Sequence, residues 1–77
     1  MTLYEIGVYA KDVEDFDWEI RLSHGFKNMK KRAHILAKQN PDCEVLCQPY
    51  DKENDCAYGG TYSVTYHDGE FQVLNCL

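Results

Sequence analysis

Four cysteines and three histidines are the residues of this chain that could do the most varied chemistry: Cys43, Cys47, Cys56, Cys76, His24, His34 and His67. Thiolate sulfur and imidazole nitrogen are the ligands that zinc prefers in proteins. The cysteines follow the spacing C-x3-C-x8-C-x19-C, which is not the spacing of a standard zinc knuckle. The composition therefore suggests a metal site that the spacing does not support.

Geometry also argues against zinc at the first two cysteines. If residues 43–50 form a strand, Cys43 and Cys47 share a face but lie about 13 Å apart, at roughly 3.3 Å per residue. Two ligands of one zinc ion lie less than about 4 Å apart. We therefore predict no metal and no cofactor, with reduced thiols that pack in the core as small apolar groups. A small zinc-stabilised or thiol-redox domain is an alternative class.

Covalent and acid–base catalysis would need more than these residue types. A cysteine nucleophile needs a positioned histidine and an oxyanion hole, and no motif in the chain identifies such a pair. The tripeptide His67-Asp68-Gly69 is typical of a tight turn, whereas a metal-dependent phosphohydrolase would need further histidine and aspartate ligands. We predict that the protein is not an enzyme and has no catalytic residues.

Carboxylates are concentrated in the stretch DVEDFDWE, residues 12–19, which holds Asp12, Glu14, Asp15, Asp17 and Glu19. Their oxygens could bind calcium, but the spacing differs from that of the EF-hand loop and the central glycine is missing. The acids could simply favour solubility. They could also imitate nucleic-acid phosphates and bind a basic groove of another protein. Such charge complementarity would increase the association rate and select the partner.

The charges of the chain are sorted into three blocks. Residues 1–19 carry a charge of −5, residues 20–41 carry +6, and residues 42–77 carry −6, for a net charge of −5. A negative total argues against nucleic-acid binding by the whole surface. A local basic patch remains compatible with it.

The acidic block is predicted to lie on a β-hairpin. Residues 3–10 alternate in hydrophobicity, and residues 16–22 place Phe16, Trp18, Ile20 and Leu22 on one face of a second strand. A period of two over seven residues indicates a half-buried strand. The short link KDVED then places most of the acids at the hairpin tip or on the solvent side.

The basic block is predicted to form an amphipathic helix. Within residues 23–41, an apolar face is formed by Phe26, Met29, Ala33, Leu36 and Ala37, and Ile35 widens it. Ser23 is the predicted N-cap, and Asn40-Pro41 ends the helix. The opposite side carries a continuous basic stripe that points away from the core, formed by Lys27, Lys31, His34 and Lys38. This stripe can be an ordinary solvated face or a docking surface for phosphate or an acidic partner.

The remaining sequence predicts a third strand, a loop and a C-terminal hairpin. Residues 43–50 form a strand in which Pro49 must lie at an edge or at the strand end, and residues 51–60 form a polar loop. Residues 61–77 form a hairpin around a type I′ turn at Asp68-Gly69. The turn pairs His67 with Glu70, Tyr66 with Phe71, Val64 with Val73, and Tyr62 with Asn75.

These elements predict one α+β domain over residues 1–77, in the order β-β-α-β-β-β. We expect a mostly antiparallel sheet of about five strands with a single amphipathic helix on one face. The other sheet face then has no second layer. Six tyrosines in 77 residues exceed what so small a core can bury, and exposed tyrosines favour binding interfaces. Tyr58, Tyr62 and Tyr66 would share one side of a regular strand.

The arrangement of FDWEIRL, the helix FKNMKKRAHILAKQN and the hairpin YSVTYHDGEFQVLNC resembles small phage-encoded inhibitors of host defence, anti-CRISPR proteins in particular. The resemblance covers the whole chain as an order of elements. It implies stoichiometric binding to a host nuclease or CRISPR surveillance complex, without catalytic residues. It also implies a location in the host cytoplasm, and the absence of a basic-apolar leader or a long apolar run likewise predicts a cytoplasmic protein with no membrane partner.

We therefore predict a non-enzymatic, protein-binding inhibitor that docks, as a monomer or homodimer, on a larger protein or nucleoprotein complex. The predicted contact residues are acidic, basic and aromatic: Asp12, Glu14, Asp15, Asp17, Lys27, Lys30, Lys31, Lys38, Tyr58, Tyr62 and Tyr66. A nucleic-acid-binding protein that uses the basic helix and aromatic side chains is the second hypothesis.

Overall fold

The computed structural model describes residues 2–9 and 21–77. Its elements are β1 (Leu3–Tyr9), β2 (Arg21–His24), α1 (Phe26–Gln39), β3 (Glu44–Asp51), β4 (Cys56–Ala57), β5 (Tyr62–His67) and β6 (Glu70–Asn75). The strands form one sheet in the order β2-β1-β3-β5-β6, and the short β4 pairs with the end of β3. Each of these pairings is antiparallel. The predicted α+β fold is confirmed, with six strands because a two-residue strand lies in the predicted loop.

The core lies between α1 and one face of the sheet. The helix buries four of the five residues of its predicted apolar face, whereas the fifth, Phe26, is 39% exposed; the buried four are Met29, Ala33, Leu36 and Ala37. The sheet contributes Tyr4 and Ile6 from β1, Val45 and Cys47 from β3, and Tyr62 and Val64 from β5. Residues that are directly opposite each other on neighbouring strands point to the same face of a sheet. Ile6 is opposite Cys47, and Cys47 is opposite Tyr62, so all three side chains point towards α1.

The start of α1 differs from the prediction. Ser23 lies in β2 opposite Tyr4 and is buried, so it does not cap the helix. Gly25 occupies the N-cap position with a φ of 82°, a left-handed conformation that glycine adopts without strain. The Gly25 amide donates to the Thr2 carbonyl at 2.8 Å. This bond ties the strand-to-helix turn to the segment before β1.

The end of α1 is as predicted, because Asn40 terminates it. The backbone N–H of Asn40 donates to the Leu36 carbonyl at 3.0 Å, and its side-chain Nδ2 donates to the same oxygen at 2.9 Å. The chain then turns at Pro41 and Asp42 into β3.

Two aliphatic residues predicted to lie on buried faces are exposed. Leu22 is 42% exposed and Ile35 is 48% exposed. In β2, Ser23 is paired with a core residue, so the alternating neighbour Leu22 is opposite Glu5 instead. The rest of the predicted second strand, residues 16–20, lies outside the described residues, as does the acidic hairpin tip.

The C-terminal hairpin matches the prediction pair by pair. His67 is opposite Glu70, Tyr66 opposite Phe71, Val64 opposite Val73, and Tyr62 opposite Asn75. Both turn residues have positive φ, 50° at Asp68 and 77° at Gly69, as a type I′ turn requires. The prediction succeeds because the turn residues alone fix the register.

Candidate partner-binding surface

The exposed surface of α1 is cationic. Five basic side chains of the helix are exposed: Lys27, Lys30, Lys31, Arg32 and Lys38. No acid occurs between residues 26 and 39. In the described ranges, the salt bridges involve His67 with Asp42 and Asp68, and none involves a lysine or arginine of the helix. Within the described residues, no salt bridge neutralises these helix charges.

A groove separates α1 from the edge strand β2. It has a volume of about 450 Å³ and is lined by Leu22, Ser23, His24, Asn28, Lys31, Arg32 and Ile35. A smaller depression of about 120 Å³ follows it along the helix, and both share Arg32 and Ile35 in their lining. Asn28 is held in place because its Nδ2 donates to the His24 carbonyl at 3.2 Å.

The groove combines aliphatic and cationic chemistry. Ile35 on α1 lines the groove together with Lys31, Arg32 and Leu22 of the edge strand, while the pairing of Leu22 with Glu5 directs the Leu22 side chain towards the sheet face away from α1. We call Lys27, Lys31, Arg32 and Ile35 the α1 docking face. Arg32, Leu22 and Ile35 are absent from the predicted contact residues. The helical period would identify Arg32 as a surface residue, but the exposure of both aliphatic residues depends on where β2 lies.

The basic stripe is interrupted at His34, contrary to the prediction that it points away from the core. The ring of His34 is half-buried, with its centroid 4.9 Å from that of Phe71 on β6. Its Nδ1 donates to the Lys30 carbonyl at 2.8 Å. His34 therefore packs towards the C-terminal hairpin and is not part of a continuous cationic row.

The three tyrosines predicted to bind a partner do not share one surface. Tyr62 is 2% exposed beneath α1, with its ring centroid 5.6 Å from that of Phe26, so it is corrected from a contact residue to a core residue. Tyr66 is partly buried and packs against the core. Tyr58 is 53% exposed, but it precedes β5 rather than continuing it, because the chain turns at Gly59.

The sheet face opposite α1 combines polar, aliphatic and aromatic side chains where the structure describes it. Alternation from the core residues places Glu5, Glu44, Gln48, Ser63 and Thr65 on this face. Ser63 Oγ donates to Glu44 Oε1 at 3.0 Å. Burial, and then the charge of Asp55, raise the pKa of Glu5. By the same alternation Leu46, Tyr9 and Tyr50 lie on this face, so among the described residues the expected aromatic character is confined to two tyrosines among polar and aliphatic residues.

Tyr50 is held at the end of the same face. Its hydroxyl donates to Asp55 Oδ1, and this bond, followed by desolvation, raises the pKa of Tyr50 to about 12. Asp55 has a positive φ of 51° in the turn between β3 and β4. The tyrosine hydroxyl therefore closes this turn.

Among the described residues, no group of three or more histidine, cysteine, aspartate or glutamate side chains is arranged to hold a metal ion. The cysteines are dispersed: Cys47 is buried, Cys43 is half-buried, and Cys56 and Cys76 are exposed. The prediction that the thiols pack in the core is correct for Cys47 and wrong for Cys56 and Cys76. Cys56 lies in the two-residue strand β4, and Cys76 follows β6. The neighbouring sequence does not indicate that either side chain is exposed.

Thiol titration should resolve these environments. With Ellman's reagent at neutral pH, Cys56 and Cys76 are expected to react in the folded protein, whereas Cys47 should react only after unfolding. Burial raises the pKa of Cys47 to about 12, and the thiolate is the reactive form. In the matched control, Cys47→Ala should leave the fast-reacting thiols unchanged. Rapid modification of Cys47 in the folded protein would contradict its placement.

The helix of the described residues is neither long nor apolar enough to cross a membrane. No protein-family model, curated protein or solved structure matches this chain significantly.

Proposed function

We propose that this chain is a non-enzymatic binding protein that docks on an acidic surface of a larger protein through the α1 docking face. The observation that carries the proposal is the position of Ile35. This aliphatic side chain is 48% exposed in a groove whose lining also includes Lys31 and Arg32. A patch of this kind favours a partner with apolar surface surrounded by carboxylates.

The aliphatic centre is the reason to prefer a protein to a nucleic acid. Contacts to a phosphate backbone are made by cationic and polar groups, and their strength falls with salt. An exposed isoleucine gains free energy only when apolar area is removed from water, at about 25 cal/mol per Å². Protein interfaces commonly combine apolar and polar side chains, and Ile35 shares its groove with Lys31 and Arg32.

A narrower form of the proposal is that the partner is a host nuclease or a CRISPR surveillance complex and that binding inhibits it. The order of elements resembling anti-CRISPR proteins supports this form. In it, Asp12, Glu14, Asp15 and Asp17 meet a basic nucleic-acid groove while α1 contacts an acidic region. Opposite charges at separate places would orient the docked protein and increase the association rate.

Capture from a lysate of the native or host cell tests the proposal. The wild-type protein is expected to retain a discrete partner, and Ile35→Ser or the double variant Lys31→Glu/Arg32→Glu should lower its recovery at least about tenfold, the loss expected of a central contact. Lys52→Glu is the matched control, since Lys52 is exposed in the turn after β3 and outside the face. Equal recovery with all variants would contradict the proposal.

The nucleic-acid hypothesis is tested in the same series. A gel shift with duplex DNA, single-stranded DNA and RNA at increasing salt would reveal binding by the cationic helix. Binding that falls steeply with salt and is lost in Lys31→Glu/Arg32→Glu, but is unchanged in Ile35→Ser, would favour that hypothesis instead.

A further inference from the structure

The last strand of the sheet has an outer edge that pairs with no strand of residues 2–9 or 21–77. β6 pairs with β5 on one side, and no other strand in the described residues pairs with its outer side. All six of its residues are exposed. The largest apolar side chains are Phe71, Val73 and Leu74, which are 43%, 48% and 62% exposed. This strand is therefore both apolar and open along its backbone.

The backbone groups that face this edge can be identified. Cys76 N–H donates to the Thr61 carbonyl at 2.8 Å, so the backbone of residue 76 points towards the β5 side. These directions alternate along an antiparallel strand. The N–H and C=O groups of Phe71, Val73 and Asn75 therefore point away from β5, towards the free edge.

The edge lacks the features that usually prevent strand pairing. Natural edge strands are protected by lysine, proline, bulges or short length. The sequence of β6, EFQVLN, contains no lysine, arginine or proline, and its pairing with β5 is regular over all six residues. Its single charge, on Glu70, lies at the end beside the turn. Such an edge is suited to addition of another strand.

We propose that β6 pairs antiparallel with β6 of a second copy, so that two sheets join into one and the protein forms a homodimer. The twofold axis passes beside Val73, which is opposite the partner's Val73. In this register Phe71 is opposite the partner's Asn75, and Asn75 is opposite the partner's Phe71. All three outward-facing residues are then paired, through about six backbone hydrogen bonds.

Charge and shape favour a second copy as the occupant. In this register Glu70 is opposite the partner's Cys76, so the like charges of the two copies are separated. On the helix side, Val73 contacts the partner's Val73 and lies diagonal to the partner's Phe71. On the other side, Leu74 lies diagonal to the partner's Leu74, within reach of long side chains. Apolar groups thus meet apolar groups on both faces.

The dimer is expected to be reversible. A six-residue edge corresponds to the smaller class of interfaces, below about 1,200 Å², that form transient complexes. The pairing leaves Lys31 and Ile35 of the α1 docking face uninvolved, because they lie on the helix and line the groove at the opposite, β2 side of the sheet. Dimerisation and partner binding are therefore separable by mutation.

Two measurements on the wild-type protein test the pairing. Sedimentation equilibrium from low-micromolar to near-millimolar concentration should show a monomer–dimer equilibrium. Across the same range, hydrogen exchange at the amides of Phe71, Val73 and Asn75 should slow at least about tenfold, because these amides become bonded only in the dimer. The amides of Gln72 and Leu74 should change much less. A protein that is monomeric throughout, or that forms open-ended larger assemblies, would overturn the proposal.

Val73→Pro provides the matching variant. Its N–H points to the free edge, so proline removes a bond of the dimer and none of the β5–β6 ladder. The variant should remain monomeric with an unchanged circular dichroism spectrum, whereas the control Ile35→Ser should dimerise like the wild type. A dimer that persists in folded Val73→Pro would overturn the pairing. If Val73→Pro does not fold, the test rests on hydrogen exchange in the wild-type protein. Unchanged exchange at Phe71, Val73 and Asn75 across the concentration range would then overturn the pairing.

Discussion

Gly60→Ala is expected to lower the free energy of unfolding by about 3 kcal/mol, at the upper end of the range for overpacking. An added Cβ at Gly60 would lie 1.9 Å from the carbonyl oxygen of Cys76 and 2.8 Å from its carbonyl carbon. These are backbone atoms and cannot rotate away. The segment after β6 must shift, which breaks the hydrogen bond from Cys76 N–H to the Thr61 carbonyl.

Urea unfolding of Gly60→Ala and Gly69→Ala measures this effect against a matched control. Gly69 has a φ of 77° and nothing within 4 Å of its added Cβ, so its alanine variant meets backbone strain alone, about 1 kcal/mol. The close approach at Gly60 is therefore expected to cost clearly more. Equal losses of stability in the two variants would contradict the close packing of the Thr61 and Cys76 segments.

Met29→Ala is expected to destabilise the protein by about 2–5 kcal/mol, the range for removing a large buried side chain. Met29 is 0% exposed and lies between α1 and the sheet. A domain of this size has a total stability of roughly 4–12 kcal/mol, at about 0.05–0.15 kcal/mol per residue. The substitution therefore removes a large fraction of the stability.

Ile35→Ala is the matched control, because it shortens an aliphatic side chain on the same helix. Ile35 is 48% exposed, so its replacement should change stability by no more than about 0.5 kcal/mol. Thermal and urea unfolding of both variants would give the comparison. If Ile35→Ala destabilises as much as Met29→Ala, the helix is rotated and the α1 docking face does not exist as described.

The features predicted correctly from the sequence are determined by neighbouring residues. The Asp68-Gly69 turn fixes which residues of β5 and β6 are opposite each other. The spacing of Met29, Ala33 and Leu36 fixes the buried side of α1 whatever it packs against. Both signals are complete within one segment, so no knowledge of the rest of the fold is needed.

The features that were missed depend on segments distant in sequence. Ser23 satisfies the rules for an N-cap, but its pairing with Tyr4 keeps it in β2. Tyr62 was predicted to contact a partner because tyrosine favours interfaces, yet its position opposite Cys47 directs it beneath the helix. The groove likewise forms only when β2 lies beside α1. Its aliphatic contacts, Leu22 and Ile35, could therefore not be distinguished from core residues by their pattern.

The position of β1 in the sheet has a consequence for synthesis. β1 leaves the ribosome before the other described strands of this sheet, but its neighbour β3 begins about 35 residues after β1 ends. The nascent strand must wait for the whole of α1 to be translated before its second ladder can form, and such non-local pairing slows folding. Ribosome-bound chains stopped before Glu44 are therefore expected to be protease-sensitive, and resistance should arise only once β3 and β5 have emerged.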